Sequence, residues 1–217
     1  MKTAIVAGAT GLVGNHLLHQ LLDDERYEKV VIFVRRKTGI SYRKLVEHIV
    51  DFDKPQNWKD KVKGDVLFSA MGTTIKKAGS KAAQRKVDYS YQYEIAVAAS
   101  QNGIRDYVLI SSAGASPRSL IFYSRMKGEL DRDVEKLDFQ RVFILKPSVL
   151  TGNRQNRRAG EEIFSKILRR LQWIPGISKY RPIAGEDVAR AMRSVIEKET
   201  QNRITEYTLD ELFDLLK

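Results

Sequence analysis

Short β-branched and apolar runs alternate along this chain with longer stretches of helical period. The strand-like runs are Thr3–Ala7, Lys29–Val34, His48–Val50, Asp65–Ala70, Asp106–Ser111 and Val142–Lys146. After the first of them, Leu12–Leu22 sets Val13, Leu17 and Leu21 beside Leu18 and Leu22, one apolar face at helical spacing. Ser80–Gln101 predicts a long helix stopped by Asn102-Gly103, and Tyr123–Lys136 predicts another. Such alternation implies right-handed crossovers and an α/β doubly wound parallel sheet of Rossmann type, covered on both faces. Beyond Pro147 the pattern changes. Glu161–Gln172 and Asp187–Glu197 predict helices on either side of an irregular stretch, Trp173–Gly185. Ile204–Thr208 and Leu209–Leu216 predict a closing strand and helix, with Thr208 and Glu211 at capping-box spacing. No repeat or long linker interrupts the pattern, so residues 1–217 read as one domain, with 148–217 forming a small substrate-side lobe.

Composition narrows the function classes. The chain has 217 residues, 42% hydrophobic and 30% charged, enough to bury a sizeable core. Cysteine is absent, which excludes disulfides and thiolate metal ligands. His16, His19 and His48 fall in or beside predicted elements, so no metal site is expected. The apolar run Thr3–Ala7 is too short for a signal segment and no run could cross a membrane; a cytoplasmic protein without a membrane partner is the expectation. The net charge of +11 is spread along the chain, with knots at Arg35-Arg36-Lys37, Lys76-Lys77, Arg85-Lys86, Arg157-Arg158 and Arg169-Arg170. No aromatic-interleaved or helix-turn-helix pattern accompanies it. Solvated surface and a phosphate-bearing cofactor, not a nucleic acid, are the partners that this charge suggests.

Gly8-Ala-Thr-Gly11-Leu-Val-Gly14 follows a predicted strand and opens a predicted helix, the context in which a glycine pattern signals a dinucleotide. Gly8 permits the tight turn, Gly11 lets backbone approach a pyrophosphate, and Gly14 permits close packing of helix on sheet. Thr10, Leu12 and Val13 complete the expected cradle at the helix N-terminus, where unpaired N–H groups face phosphate. The next strand ends in Val34-Arg35-Arg36-Lys37, with no acid to take the ribose hydroxyls of NAD. Arginine can fork a 2′-phosphate and stack on adenine, so Arg35 and Arg36 favour NADP(H) over NAD(H).

Tyr123-Ser-Arg-Met-Lys127 places a phenol and an ammonium one turn apart on a predicted helix. A nearby ammonium favours tyrosinate, which suits the phenol to exchange a proton with a substrate hydroxyl or carbonyl. The motif follows a strand ending in Ser111-Ser112, at the sheet edge where open α/β folds bind ligands.

Together these residues resemble the short-chain dehydrogenases/reductases, in the atypical branch with Gly-x-x-Gly-x-x-Gly. Within that branch the chain is most similar to the Tat-interacting-protein-type oxidoreductases. Further matches are Val50-Asp51-Phe52, Gly72-Thr73-Thr74, Lys77-Ala78-Gly79, Val87-Asp88 and Lys127-Gly128-Glu129. They continue through Pro147, Val149-Leu150, Arg154-Gln155 and Arg158-x-Gly160-Glu161, with Arg190-Ala-Met192 beyond. The resemblance implies that Asp51 and Phe52 approach adenine, and that Ala70, Met71, Gly72 and Thr73 pass the cofactor's ribose and phosphates. It implies Tyr123 as proton donor or acceptor, Lys127 on the nicotinamide ribose, and Ser112 polarising the substrate carbonyl with Ser111 second. Pro147 and Val149 would flank the nicotinamide, and Arg154 and Arg158 would face substrate.

One departure stands out. Many members of the wider superfamily place an Asn in the helix before the seryl strand, where this chain has Val87-Asp88. The leading expectation is an NADP(H)-dependent oxidoreductase acting on a small carbonyl or alcohol. The alternative is an NADP(H)-sensing regulator that binds a protein partner with little turnover. A nucleotide-sugar epimerase conflicts with the short C-terminal lobe.

Overall fold

The computed structural model describes residues 1–151 and 181–217. The predicted helix Glu161–Gln172, most of Trp173–Gly185, and both Arg154 and Arg158 lie outside the described residues. The strands are β1 (Lys2–Ala7), β2 (Tyr27–Val34), β3 (Leu45–Ile49), β4 (Val66–Ser69), β5 (Asp106–Ile110), β6 (Arg141–Lys146) and β9 (Ile204–Thr208). They form a seven-stranded sheet in the order β3-β2-β1-β4-β5-β6-β9, and every pair in it is parallel. The strand order reverses between β1 and β4, so a crevice opens outside their carboxyl ends.

Both sheet faces are buried, which explains why the central strands read as continuous apolar runs. Successive side chains of β1 separate: Ala4 and Val6 join one core, Ile5 and Ala7 the other. On the first face lie α1 (Leu12–Leu22) and a helix Gly185–Ser194, with Leu17, Leu18 and Leu21 against Val188 and Met192. The second face is covered by α4 (Tyr91–Gln101), α5 (Phe122–Val134) and Trp58, through Ile95, Ala99, Leu130 and Val134. None of the described helices is long and apolar enough to cross a membrane.

Departures from the predicted elements have local causes. The third strand occupies Leu45–Ile49 instead of His48–Val50; it is an edge strand, half-buried over Leu45–His48, and its apolar alternation is weak. The predicted Ser80–Gln101 helix is α3 (Lys81–Arg85), a π turn (Lys86–Ser90) and α4, with Ser80 Oγ capping its start. A π turn inserts one extra residue into the helical ladder and leaves the apolar period on either side intact. Ile183–Ala184 (β8) pairs in parallel with Leu150–Thr151 (β7), two residues each, too short to show alternation. At the end, Leu209 has φ +49, so the final helix is confined to Glu211–Asp214. Glu211 still accepts the Thr208 backbone N–H at 2.7 Å, half of the anticipated capping box.

The glycine turn fixes where α1 meets the sheet. Gly8 has φ +86, and a Cβ there would stand 2.6 Å from the Ala70–Met71 peptide after β4. A Cβ on Gly14 would stand 2.1 Å from the Gly8 carbonyl oxygen. Gly14→Ala should therefore cost about 1–3 kcal/mol or more of unfolding free energy, an overpacking against backbone that cannot retreat. Gly72→Ala, whose Cβ meets nothing within 4 Å, should change stability by less than about 0.5 kcal/mol. Urea denaturation of the two variants checks the contrast.

Candidate active site

Three groups converge on the carboxyl edge of the sheet: the turn after β1, the loop after β4, and the segment from the end of β5 to α5. In the turn, Gly11 N–H donates to the Gly8 carbonyl at 2.9 Å. Gly11 is less tightly enclosed than Gly8 and Gly14, but a Cβ there would still press on the Gly8 carbonyl oxygen at 3.1 Å. Glycine at exposed 72, whose Cβ would meet nothing within 4 Å, leaves open space at the crevice, as a closely approaching pyrophosphate requires. Thr10 is exposed beside it, Val13 is buried, and the Leu12 side chain lies where a Cβ on Gly185 would meet it at 2.8 Å.

At the end of β2 a cleft of about 480 Å³ is lined by Thr10, Asn15, His19 and Arg35-Arg36-Lys37 with Thr38. Arg35, Arg36 and Lys37 are all exposed, and none is tied to a carboxylate among the described residues. Other basic knots differ: Arg85 pairs with Glu129 at 2.5 Å, and Lys86 with Asp53 at 2.7 Å. The loop is shaped by Glu47 of β3, which accepts the Thr38 N–H at 3.1 Å and the Thr38 hydroxyl. Asp51 is exposed and its carbonyl accepts Trp58 Nε1 at 3.0 Å. The Phe52 ring is buried against Trp58 and Tyr91, so a contact with adenine would fall to its backbone.

After β4, Ala70 N–H bonds the Ala7 carbonyl, which sets Ala70 and Met71 against the glycine turn. The following loop is held from the second helical layer. Asp88, in the π turn and 2% exposed, accepts the Thr73 N–H at 2.6 Å and Gln84 Nε2 at 3.3 Å. Gln92 donates to the Asp88 carbonyl at 2.7 Å and accepts Ser69 Oγ at 2.8 Å. Gln84, Asp88 and Gln92 are thus a buried polar stripe clamping the Ser69–Thr73 segment. The sequence marks Asp88 as a family match and as a departure from the relay Asn, but gives no role to either glutamine; their spacing of four was the available signal.

The seryl pair divides. Ser111 is buried and donates to Asp131 Oδ2 at 2.7 Å, whereas Ser112 is half-buried with its hydroxyl near the Ala113 carbonyl at 3.3 Å. Ala113 N–H bonds the Pro147 carbonyl at 2.9 Å, bringing Ser112 and the Pro147–Val149 segment side by side; Pro147 is buried, Val149 half-buried. Tyr123 is exposed one turn before Lys127, which is 3% exposed and donates to the Ile110 carbonyl at 2.8 Å. Burial pulls the Lys127 ammonium below its usual range, opposed by the charges of Asp131 and Asp88. Gly128 lets α5 touch the preceding loop: a Cβ there would lie 2.3 Å from the Ser116 carbonyl carbon.

Ser111→Ala should cost about 1–3 kcal/mol by leaving Asp131 Oδ2 short of its hydroxyl partner. Ser112→Ala should leave stability within about 0.5 kcal/mol. Thermal and urea unfolding of both variants separate a structural from a substrate-facing serine.

Comparison with known proteins fits this geometry. Residues 8–199 match the NAD(P)H-binding family model. "Protein FMP52, mitochondrial" of Debaryomyces hansenii is 37% identical over 193 residues, 87% of this chain and 84% of that protein. "Protein HTATIP2" of Rattus norvegicus is 34% identical over 181 residues, 81% of this chain and 74% of that protein. Among solved structures, MoeE5 in complex with UDP-glucose and NAD is similar at TM-score 0.68 and 17% identity, covering 98% of this chain and 80% of that one. At that identity the likeness concerns the fold. The cytoplasmic address expected above is overturned, because several fungal relatives are named as mitochondrial. The N-terminal residues are committed to β1, and an apolar run spent on a strand carries no information about compartment. With crevice, glycine turn and Ser-Tyr-Lys segment on one sheet edge, the chain belongs to the NAD(P)H-binding family, as an atypical short-chain dehydrogenase/reductase of the HTATIP2/FMP52 type.

Proposed function

We propose that this protein is an NADP(H)-dependent oxidoreductase that interconverts a small carbonyl compound and its alcohol. The observation that carries the cofactor preference is the cleft after β2, where Arg35, Arg36 and Lys37 converge without a carboxylate partner among the described residues. A 2′-phosphate supplies the missing negative charge, and an arginine can grip it with two parallel bonds. Gly8, Thr10, Gly11, Leu12, Val13 and Gly14 take the pyrophosphate, with Asp51, Phe52 and Ala70 to Thr73 along the adenosine side. The bound nicotinamide supplies hydride exchange with the substrate carbon.

The chain's own groups supply the rest. Ser112 donates a hydrogen bond to the substrate oxygen and Tyr123 gives or takes the proton there. Lys127 holds the nicotinamide ribose and biases Tyr123 toward tyrosinate. Pro147 and Val149 wall the ring. The reading is supported by Ser112 being the serine left uncommitted by Asp131, and by Tyr123 being open to an incoming molecule.

A second reading, an NADP(H)-sensing regulator with a protein partner, is favoured by one feature. Asp88 stands where a relay Asn is found in many relatives and is committed to the Thr73 backbone.

Fluorescence titration should give tighter binding of NADPH than NADH, and Arg35→Ala should weaken NADPH alone, by about tenfold to a hundredfold. Equal affinity for the two would refute the preference. With a carbonyl panel, Tyr123→Phe should lower turnover about a hundredfold or more while NADPH binding persists. Binding without NADPH consumption on any carbonyl would favour the regulator.

A further inference from the structure

Asp131 is 4% exposed, sits one turn beyond Lys127 on α5, and is used by nothing in the proposed chemistry. Tyr123, Lys127 and Asp131 repeat every four residues, so they line one face of the helix over two turns. Asp131 Oδ2 accepts the Ser111 hydroxyl at 2.7 Å and lies 3.6 Å from Lys146 Nζ. Its other oxygen, Oδ1, is buried with no hydrogen-bond partner among the described residues. An orphaned carboxylate oxygen in an apolar setting is costly unless a charge answers it.

Two cations bear on this carboxylate, Lys146 through the 3.6 Å ion pair and Lys127 from one helical turn away. Lys146, at the end of β6, is already answered by Glu206 of β9, to which it donates a hydrogen bond. Among the described residues Lys127 has only the neutral Ile110 carbonyl as its hydrogen-bond partner, and it is too deeply buried for water to carry its charge. The remaining anion facing Lys127 is Asp88, on the π turn, and its oxygens are taken up by Thr73 and Gln84. The group is therefore two cations, Lys127 and Lys146, against Asp131 and Glu206, with Asp88 also acting on Lys127.

We propose that Asp131 is the positioning residue that keeps Lys127 charged beside Tyr123, and that ties this charge to the Ser111 end of β5. The inference rests on Tyr123 and Lys127 being the reacting pair, but its test needs neither cofactor nor substrate. Burial pushes the Asp131 carboxyl upward and pulls the Lys127 ammonium downward, and each group opposes the shift of the other. Removing the carboxylate removes that opposition, so the ammonium should lose its proton at lower pH.

The test is a pH titration of cofactor-free protein labelled with ¹³C-lysine, followed by NMR, with the Lys127 signal assigned through Lys127→Met. Asp131→Asn should lower the Lys127 midpoint by about one unit or more, and Asp131→Glu should restore it. One unit is about a tenfold change in the protonation equilibrium. A merely structural Asp131 would lower stability in the Asn variant and leave the midpoint in place; that result overturns the proposal. A Lys127 already neutral at pH 7 in the unaltered protein overturns it as well. Should Asp131→Asn fail to fold, Asp131→Ser serves as a second neutral variant, in which the Lys127 midpoint should likewise fall; an unchanged midpoint there is equally fatal. Loss of NADPH binding would count against the proposed function and leave this titration readable.

Discussion

The contact on which the site depends is backbone against backbone, where Gly14 of α1 meets the Gly8 carbonyl and Gly8 meets the Ala70–Met71 peptide. No side chain fits at either place. Because of it, α1 begins at the mouth of the crevice between β1 and β4, with its N–H groups directed where phosphates would lie. Gly72 has no packing demand of its own, since a Cβ there would meet nothing within 4 Å. Removing the closeness of this contact would move the helix and the β4 loop together, since one peptide touches both.

The same edge carries two polar clusters that hold the flanking segments. One is the Gln84-Asp88-Gln92 stripe, which fixes Ser69 and Thr73 after β4. The other joins Ser111, Asp131, Lys146 and Glu206, and links β5, α5, β6 and β9. Each uses buried charge whose partners come from other elements, and breaking one partner leaves another uncompensated. Such clusters specify geometry at some expense of stability, which suits the surroundings of a reacting pair.

Much of the architecture was legible because apolar period survives in single sequences. Leu12–Leu22 and Ile204–Thr208 formed with the predicted bounds, and the strand–helix alternation implied the parallel sheet that is observed. The spacing of Gly8 and Gly14 was equally readable, since each answers a local steric demand. Less legible were residues whose partners are remote. Glu47 shapes the Arg35–Thr38 loop from the next strand, and Asp131 meets Ser111 twenty residues away and Lys146 from β6. Polar residues on a helix look solvated until the fold buries them, so only their four-residue spacing hinted at a shared face. The π turn was invisible for a related reason: one extra residue leaves the apolar pattern on either side unchanged.

On the proposed function, the cleft after β2 receives the phosphate on the adenosine ribose. Calorimetry with the adenosine fragments alone tests it without invoking catalysis. Adenosine 2′,5′-bisphosphate should bind at least about tenfold more tightly than 5′-AMP, with an advantage that shrinks as salt is raised. Equal affinity for the two fragments, independent of salt, would contradict it.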